Sequence, residues 1–380
     1  MIKYLDLKAI NKPYEHAADA VLQSGWYLKG ESTRRFEEAY ADYIGTKYCI
    51  GCANGLDALT LIFRAYMELG VMQKGDEVIM PANTYIASIL AITECGLTPV
   101  LVEPDINTLQ IDDTLIEAAI TPRTRAIMIV HLYGRCAYTD RIGDICRRHG
   151  LKLIEDNAQS HGCTVNVQCS ARLRRLAPPR MVNGQLKKTG SFGSSAAHSF
   201  YPTKNLGAFG DAGAVTTDDE AMAEVIRSIG NYGSSRKYVF DYIGRNSRID
   251  EIQAAILLEK LKTLDASNAR RKEIASFYIN KVENPFIRIP KCDDRDCVWH
   301  IFPVFCQQRD RLQQYLQDHG VETQIHYPIP PHKQRCYQEW NNLSFPLTEQ
   351  IYAQELSIPC NQALTDEEVN YIVDLLNSFK

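Results

Sequence analysis

Short apolar runs alternate with longer segments of helical periodicity from about residue 47 to about residue 217. Seven of these runs are rich in apolar or β-branched residues and have the length of strands. The predicted strands are Tyr48–Gly51, Glu77–Met80, Pro99–Val102, Ala126–His131, Lys152–Glu155, Ala196–Phe200 and Ala214–Thr217. Strands that alternate with helical segments indicate a mostly parallel sheet covered by helices. The pattern therefore predicts an α/β fold.

Two of the segments between the strands have a clear helical face and a clear end. In the segment from Leu56 to Leu69, the apolar side chains at positions 59, 62, 63, 66 and 67 share one face, and Gly70 follows. The segment from Tyr138 to His149 is followed in the same way by a glycine. A glycine directly after the last turn is typical of a helix C-terminus. Both segments fit helices that connect parallel strands.

The pattern changes character after residue 250. A long helical stretch, Ile252–Tyr278, leads to a predicted strand, Val298–Phe305, and a predicted helix, Arg309–His319. A proline-rich turn follows, and the last helix opens at Thr365, which forms a capping-box pattern with Glu368. We therefore expect a large α/β domain over residues 1–260 and a smaller C-terminal α/β domain over residues 261–380.

The stretch from Cys163 to Lys188 interrupts this alternation. It contains no acidic residue. Its basic residues are Arg172, Arg174, Arg175, Arg180, Lys187 and Lys188. We expect an inserted surface loop here, over about residues 163–188. A solvated loop and a clamp for a diphosphate group are the two interpretations of its charge.

Composition and charge exclude several classes of protein. The chain has 380 residues, of which 45% are hydrophobic and 23% charged, as in ordinary globular proteins. A formal net charge of −4 provides no overall positive field for nucleic acid or a membrane surface. The first residues carry charges instead of an apolar signal, and no apolar run reaches the roughly 20 residues of a membrane-spanning helix. We expect a cytoplasmic protein that binds neither nucleic acid nor a membrane.

The cysteines are scattered and are expected to be thiols. Cys49 and Cys52 form the one close pair, but no second pair of ligands follows at zinc spacing. Two thiols on a buried strand end are the preferred interpretation, with a redox pair as the alternative. No metal site is expected.

A strand turns directly into a helix at Asn54-Gly55. Such a junction directs free backbone N–H groups and the positive end of the helix toward one spot, which suits a phosphate dianion. A purely structural turn is the alternative, because such junctions are common in α/β proteins. Neither a Gly-x-Gly-x-x-Gly motif nor a P-loop motif is present, which argues against dinucleotide and P-loop nucleotide sites.

Two further residues complete a recognisable order along the chain. Asp156 ends an apolar strand, where it can partner a cationic ring nitrogen or cap a helix. Lys204 follows a later strand among proline and glycine residues. A lysine in a desolvated pocket can attack an aldehyde, although a solvated loop lysine is the commoner case. A phosphate-binding turn, an aspartate and a lysine, in this order along the chain, are the three groups that bind pyridoxal phosphate.

These residues lie within a longer pattern that resembles the DegT/DnrJ/StrS-type sugar-nucleotide aminotransferases. The matching motifs are Ser24–Tyr27, Asn54–Leu59, Gly75–Val78, Pro81–Tyr85, His131–Gly134, Glu155–Gln159, Ser199–Asn205 and Asn246–Ala255. They are spread over nearly the whole chain. The resemblance implies the aspartate-aminotransferase-like fold, also called fold type I, and pyridoxal 5′-phosphate as the cofactor.

The resemblance also implies individual roles. Lys204 would bind the cofactor covalently and Asp156 would keep its pyridine nitrogen protonated. The other implied contacts are Gly55, Leu56 and Ser199 with the phosphate, Tyr85 with the ring face, Gln159 with the ring hydroxyl, and Asn246 of the neighbouring subunit with the phosphate. A homodimer with shared active sites follows from that last contact. Leu56 stands where threonine is common, which leaves the phosphate more dependent on backbone N–H groups.

The resemblance implies transamination, because lysine rather than histidine stands at position 204. The expected reaction moves an amino group from L-glutamate to a dTDP-3-keto-6-deoxyhexose, for bacterial surface polysaccharide or glycoside biosynthesis. Amination of a 4-keto sugar nucleotide, sugar dehydration with the same cofactor, and a non-catalytic regulator that binds the cofactor are the alternatives. His326, Tyr327 and His332 are candidate sugar contacts, and the two imidazoles have structural capping as an alternative role.

Overall fold

The computed structural model describes residues 1–165, 187–290 and 297–380. In chain order, its strands are β1 (Tyr48–Cys52), β2 (Glu77–Pro81), β3 (Thr98–Val102), β4 (Thr124–Val130), β5 (Lys152–Asp156), β6 (Thr164–Val165), β7 (Lys187–Lys188), β8 (Ser195–Ser199), β9 (Gly213–Thr217), β10 (Ser234–Arg236), β11 (Val239–Phe240), β12 (Phe302–Phe305) and β13 (Glu355–Ile358). Its helices are α1 (Leu7–Asn11), α2 (Asp19–Ser24), α3 (Glu31–Ile44), α4 (Gly55–Glu68), α5 (Ile86–Glu94), α6 (Asp140–His149), α7 (Glu220–Ile229), α8 (Glu251–Leu261), α9 (Leu264–Lys281), α10 (Arg309–Asp318), α11 (Pro346–Gln354) and α12 (Asp366–Ser378).

A seven-stranded sheet forms the centre of the molecule, in the order β1-β9-β8-β5-β4-β2-β3. The strands from β8 to β3 pair in parallel, and β9 is antiparallel to both of its neighbours. All residues of β2 are buried, as expected for a strand with helices on both faces. The seven strands predicted from the apolar runs are confirmed, with small shifts at their ends. The mostly parallel α/β sheet is therefore confirmed as well.

The register of the parallel strands brings several chain segments to one edge of the sheet. Val130 at the end of β4 pairs with Asp156 at the end of β5, and Asp156 pairs with Ala197 of β8. Ligands of open α/β sheets bind beyond this carboxyl edge. The segments that follow β4, β5 and β8 therefore meet where a ligand is expected.

The helices that flank this edge begin and end as their sequences indicate. Asn54 caps α4 by accepting a hydrogen bond from the Asp57 N–H group at 2.8 Å. Thr139 caps α6 in the same way, and this helix ends at Gly150 with a φ of 65°. Only a residue tolerant of the left-handed region fits that position without strain. Both predicted crossover helices are confirmed.

The prediction of one long helix over Ile252–Tyr278 is wrong. The helix is interrupted between α8 and α9, where Thr263 has a non-helical ψ of 1°. Its hydroxyl group donates a hydrogen bond to the carbonyl oxygen of Lys260 at 3.1 Å. Local hydrogen bonds of this kind compete with the helical ladder. The apolar pattern continues through residues 261–264, so the sequence pattern did not indicate the break between α8 and α9.

The C-terminal strand is shorter than predicted. The expected strand Val298–Phe305 is ordered as a strand over Phe302–Phe305 alone, because Trp299 has a φ of 49°. A residue in the left-handed region cannot continue an extended strand. Its antiparallel partner, β13, was not predicted.

A second apolar core lies among the C-terminal elements. It contains Ile274 of α9, Phe302 of β12, Leu312 of α10, Leu356 of β13 and Ile372 of α12. The capping box predicted at the start of α12 is confirmed. The start of α9 packs in a different cluster beside the large sheet. The domain boundary after residue 260 stays a prediction.

The two ends of the predicted basic insertion pair with each other. Thr164 and Val165 form a short antiparallel ladder with Lys188 and Lys187. The rest of the insertion, including Arg172, Arg174, Arg175 and Arg180, lies outside the described residues. Its role therefore stays a prediction.

Cys49 and Cys52 are both buried on β1. Their side chains belong to separate apolar clusters on the two faces of the sheet. This confirms the interpretation of the pair as two thiols on a buried strand. Over residues 1–165, 187–290 and 297–380, no helix is both long and apolar enough to cross a membrane.

Candidate active site

The turn at Asn54-Gly55 lies against the end of β8. A β-carbon on Gly55 would be 2.6 Å from the β-carbon of Ser199. Since real atoms do not approach so closely, only glycine allows the backbone of the first turn of α4 to reach this strand. The contact brings the N-terminus of α4, including half-buried Leu56, beside the Ser199 side chain. A helix N-terminus with a neighbouring hydroxyl group suits a phosphate.

Asp156 is nearly buried at the end of β5. Its Oδ2 atom accepts a hydrogen bond from the Ser88 hydroxyl group at 2.7 Å, and its Oδ1 atom accepts one from the Ala158 N–H group at 3.1 Å. Ser88 is itself 2.8 Å from the hydroxyl group of Thr84. These contacts fix the orientation of the carboxylate group. Ser88 was not predicted, although a lone serine among the apolar residues of α5 was a usable signal.

Lys204 lies in the connection between β8 and β9. Its backbone N–H group donates to the carbonyl oxygen of Tyr201 at 2.8 Å. Burial lowers the pKa of the Lys204 ammonium group to about 8, and the charge of Asp156 opposes part of this shift. A lowered pKa increases the fraction of neutral, nucleophilic amine. Lys204 is half-buried, so its surroundings lie between the desolvated and the fully solvated alternatives, with the lowered pKa on the desolvated side.

Gln159 joins predicted cofactor and sugar contacts in one cluster. Its Oε1 atom accepts a hydrogen bond from the Tyr133 N–H group at 2.7 Å, and its Nε2 atom donates to the Tyr327 hydroxyl group at 3.1 Å. The ring of Tyr327 lies 5.1 Å from the ring of Tyr85, measured between centroids. Tyr85 is 50% exposed, so its ring is accessible to a planar ligand.

The two candidate histidines occupy different surroundings. His326 is half-buried and lines a cavity of about 280 Å³ together with Thr203 and His300. His332 is fully buried, and its Nε2 atom is 2.9 Å from Glu349 Oε1. The surroundings of His332 match the capping alternative that the sequence left open. Its contact with a sugar stays a prediction.

The imidazoles close to Lys204 are held neutral. Burial and the charge of Lys204 lower the pKa of His161 to about 3 and the pKa of His326 to about 4. The same two causes lower the pKa of His300. These histidines therefore add no positive charge near Lys204 at neutral pH.

The loop that carries Lys204 is anchored by the next residue, which sequence reasoning missed. The Asn205 amide group donates hydrogen bonds to Asn268 Oδ1 at 2.8 Å and to the carbonyl oxygen of Val298 at 3.1 Å. Its Oδ1 atom lies 3.1 Å from Nδ1 of His300. These contacts tie the loop to α9 and to the segment before β12.

Glu155 anchors the segment that returns to β8. It accepts hydrogen bonds from His131 Nε2 at 2.8 Å and from the N–H groups of Gly190, Phe192 and Gly193. Burial alone would raise the pKa of Glu155, but these hydrogen bonds outweigh burial and lower it. Glu155 is therefore ionised at neutral pH and holds the segment before β8 against the end of β5.

Asn246 is exposed, and its backbone forms a bridge with Asn231. It lies beside a second cavity of about 490 Å³, which is lined by charged residues of α3 and α7 and by Asn231 and Ser247. Lys204 and Asp156 do not line this cavity. An exposed side chain at this position is available to a second subunit.

The residues at the carboxyl edge fit pyridoxal 5′-phosphate. The space that a β-carbon on Gly55 would fill leaves room for backbone N–H groups and Ser199 to reach a phosphate. The oriented carboxylate of Asp156 suits a protonated ring nitrogen, and the Lys204 amine suits an aldehyde. Among the described residues, no cluster of His, Cys, Asp or Glu is arranged to hold a metal ion.

Comparison with known proteins agrees with this site. The sequence profile of the DegT/DnrJ/EryC1/StrS aminotransferase family matches residues 8–377. The dTDP-3-amino-3,6-dideoxy-alpha-D-galactopyranose transaminase of Aneurinibacillus thermoaerophilus is 50% identical over 384 residues, which cover 100% of this chain and 99% of the relative. The dTDP-3-amino-3,4,6-trideoxy-alpha-D-glucose transaminase of Streptomyces venezuelae is 41% identical, over 100% of this chain and 96% of the relative.

A solved structure extends the similarity to three dimensions. The crystal structure of S. venezuelae DesV in complex with a ketimine intermediate superposes with a TM-score of 0.90 at 40% identity, over 99% of this chain and 97% of that chain. This confirms the aspartate-aminotransferase-like fold and pyridoxal 5′-phosphate as the cofactor. With a matching profile, full-length relatives and a fitting site, this chain belongs to the DegT/DnrJ/EryC1/StrS aminotransferase family.

Proposed function

We propose that this enzyme transfers the amino group of L-glutamate to C3 of a dTDP-3-keto-6-deoxyhexose, giving a dTDP-3-amino-3,6-dideoxyhexose. One observation carries the choice of substrate: the 50% identity, over the full length of both chains, to a transaminase whose name specifies a 3-amino-3,6-dideoxygalactose product. Products of this kind supply bacterial surface polysaccharides or glycosides.

Each residue of the site has a separate role in this transfer of an amino group. When bound, pyridoxal phosphate supplies an aldehyde that carries the amino group and a ring that accepts electrons. Lys204, with its pKa lowered to about 8, can hold and release the proton that moves at the donor carbon. Asp156 keeps the positive charge of the ring nitrogen, and Gln159, Tyr85, Gly55, Leu56 and Ser199 orient the group.

The substrate pocket and the assembly are parts of the same proposal. His326 and Tyr327 contact the sugar, and the cavity beside His326 supports this assignment for the first of them, whereas buried His332 takes the capping role against Glu349. Asn246 reaches the phosphate of the neighbouring subunit in a homodimer, which its exposed position supports. We also propose that the reaction takes place in the cytoplasm.

The position of the new amino group tests the proposal. The purified enzyme is incubated with L-glutamate and with dTDP-3-keto or dTDP-4-keto sugars in separate reactions, and NMR locates the nitrogen in each product. We expect amination at C3 with one 2-oxoglutarate released for each amino sugar. Amination at C4 alone would contradict the choice of substrate.

The same reactions separate the other two functions. A dehydratase would consume the sugar without forming an equal amount of amino sugar, and a regulator would release no 2-oxoglutarate. A Lys204→Gln variant serves as the inactive control, and Lys47→Gln, at an exposed lysine, serves as the active one.

A further inference from the structure

A buried carboxyl group lies behind the imidazole of His326. Glu355, on β13, is completely buried. Its Oε2 atom accepts a hydrogen bond from the backbone N–H group of His326 at 2.6 Å, and its Oε1 atom is hydrogen-bonded to the hydroxyl group of Ser357. The same hydroxyl oxygen is 2.7 Å from Nδ1 of His326. Ser357 therefore connects the acid to the ring.

The single hydrogen of the Ser357 hydroxyl group makes this connection directional. When Glu355 is ionised it can only accept, so Ser357 donates to Glu355 and accepts a hydrogen bond from His326 Nδ1–H. When Glu355 is neutral its own O–H group donates to Ser357, and Ser357 then donates to a bare Nδ1 atom. A neutral imidazole carries one hydrogen, so the second arrangement puts that hydrogen on Nε2.

Both arrangements are accessible near neutral pH. Burial raises the pKa of Glu355 to about 8. The hydrogen bonds from Ser357 and His326 and the charge of Arg309 lower this pKa, but burial outweighs them. His326 is already neutral above its pKa of about 4, so its ring carries one hydrogen throughout this range. A change in the charge of Glu355 consequently changes the tautomer of His326 and not its charge.

Other titratable groups face this pair from the surrounding elements. Around Glu355 and His326 these groups are Tyr4, Tyr133, Tyr327, Tyr352, Arg309, His300 and Lys204. Burial raises the pKa of each of the four tyrosines and lowers the pKa of His300. Within this group, Lys204 is the residue that titrates close to Glu355, with a pKa lowered to about 8. A rate measured against pH cannot by itself distinguish the two.

We infer that Glu355, Ser357 and His326 form a proton relay that sets which face of the His326 imidazole, a donor N–H group or an acceptor lone pair, is presented to the sugar. Glu355 and Ser357 act through His326 and are positioning residues. The inference rests on the proposed function in one respect, namely that His326 faces the keto sugar.

The relay is balanced in hydrogens. As Nε2–H releases its proton into the cavity, the Ser357 hydrogen moves to Nδ1 and the Glu355 hydrogen moves to Ser357, which leaves one negative charge on Glu355. The neutral state supplies the N–H donor that a keto oxygen requires, because a keto oxygen can only accept. The ionised state presents a lone pair, which suits a hydroxyl or an amino group but repels a keto oxygen.

The tautomer of His326 can be measured without any substrate. Long-range ¹H–¹⁵N NMR spectra of the holoenzyme labelled with ¹⁵N-histidine distinguish Nδ1–H from Nε2–H, and the signal that His326→Gln removes is the one to follow. We expect the wild-type ring to change from Nε2–H to Nδ1–H with a midpoint near pH 8. A ring that keeps one tautomer between about pH 6 and about pH 9.5 would overturn the inference.

Two variants test the path. In Glu355→Gln the amide N–H group still donates to Ser357 and does not titrate, so we expect Nε2–H at every pH. Ser357→Ala separates the acid from the ring and should abolish the transition at pH 8. Glu349→Gln, which changes the partner of His332, is the matched control and should keep the wild-type transition. An unchanged transition in Glu355→Gln, with melting curves that show a folded protein, would refute the relay.

The kinetic consequence is separable from the reaction itself. Above about pH 8, kcat/KM of the wild type for the keto sugar should fall about tenfold per pH unit, and Glu355→Gln should remove this fall. A tautomer transition without turnover of the keto sugar would contradict the proposed function and leave the relay standing. Turnover of the keto sugar without a tautomer transition would contradict the relay and leave the proposed function standing.

Discussion

Individual side chains from distant parts of the chain make the site rigid. Ser88 of α5 donates to Asp156, which terminates β5, and Asn205 joins the loop of Lys204 to α9. Each of these groups is a short polar side chain in a buried position. A buried polar group that is fully hydrogen-bonded specifies one geometry, since every alternative leaves a donor or acceptor unsatisfied.

We predict that Ser88→Ala weakens cofactor binding. The substitution removes the hydroxyl group that orients Asp156, and a hydrogen bond to a charged group contributes about 1.5–3 kcal/mol, so the Kd for pyridoxal phosphate should rise roughly tenfold or more. Quenching of tryptophan fluorescence on titrating apoprotein with the cofactor measures this Kd. Ser228→Ala is the matched control, because Ser228 is a buried helical serine whose hydroxyl group has no partner among the described residues. Equal Kd values for the two variants would contradict the assigned role.

Sequence order made Gly55, Asp156 and Lys204 candidates because each belongs to a short motif at a strand end, and the family resemblance added Ser199. It did not identify Ser88, Asn205, Glu155 or Glu355. The partners of these residues lie far away along the chain, and only the folded structure brings them together. Local patterns carry no information about such pairs.

At the scale of elements, the position of α4 depends on one missing side chain. The first turn of this helix contacts β8 because Gly55 has no β-carbon. The apolar runs predicted the strands of the sheet well, since burial on both faces leaves an uninterrupted apolar signal. They did not predict the break before α9 or strand β13, which depend on Thr263 and on pairing with β12.

Gly55→Ala should separate α4 from β8 and impair the phosphate site. The new methyl group would lie 2.6 Å from Ser199 Cβ, so we expect a loss of about 1–3 kcal/mol in the free energy of unfolding and weaker cofactor binding. Denaturant unfolding and cofactor titration measure the two effects. Gly70→Ala is the control, because a β-carbon there meets no atom within 4 Å although φ is 70°. That variant should lose stability from backbone strain alone and bind the cofactor normally.

At the scale of the whole molecule, stability should depend on the charge of Glu355. The pKa of Glu355 is about 8 in the folded chain, and its usual value is 4.5. Between these two pH values, the folded state therefore holds a proton that the unfolded chain has released. This contribution to stability is complete below about pH 4.5 and is lost as the pH rises to about 8, by up to about 1.4 kcal/mol per pH unit. His161, whose pKa is lowered to about 3, acts in the opposite direction below pH 6.5.

Unfolding of the apoprotein by urea at a series of pH values tests this sign. The free energy of unfolding of Glu355→Gln relative to the wild type should increase between about pH 4.5 and about pH 8, because glutamine does not titrate. A difference that is flat or falls over this range would show that Glu355 is ionised in the folded chain.

A shared active site predicts complementation between inactive subunits. If Asn246 reaches the phosphate of the neighbouring subunit, Lys204→Gln and Asn246→Asp should each impair both sites of their own homodimer, the second by placing a negative charge against the phosphate. In a mixed dimer, one of the two sites combines the intact Lys204 of one subunit with the intact Asn246 of the other. Random exchange makes about half of the dimers mixed, so about a quarter of wild-type activity should return. Activity assays after unfolding and refolding the mixture measure this, and a mixture that stays inactive would contradict the shared site.

The connection that carries Lys204 leaves the central sheet from β8 and returns to it as the adjacent, antiparallel β9. Both of its ends are therefore held only once the middle of the sheet has closed. Before the sheet has closed, the amine of Lys204 has no fixed position relative to Asp156. We therefore expect a chain that has not closed the middle of the sheet to be unable to hold the cofactor at Lys204, whatever the state of its edge strands.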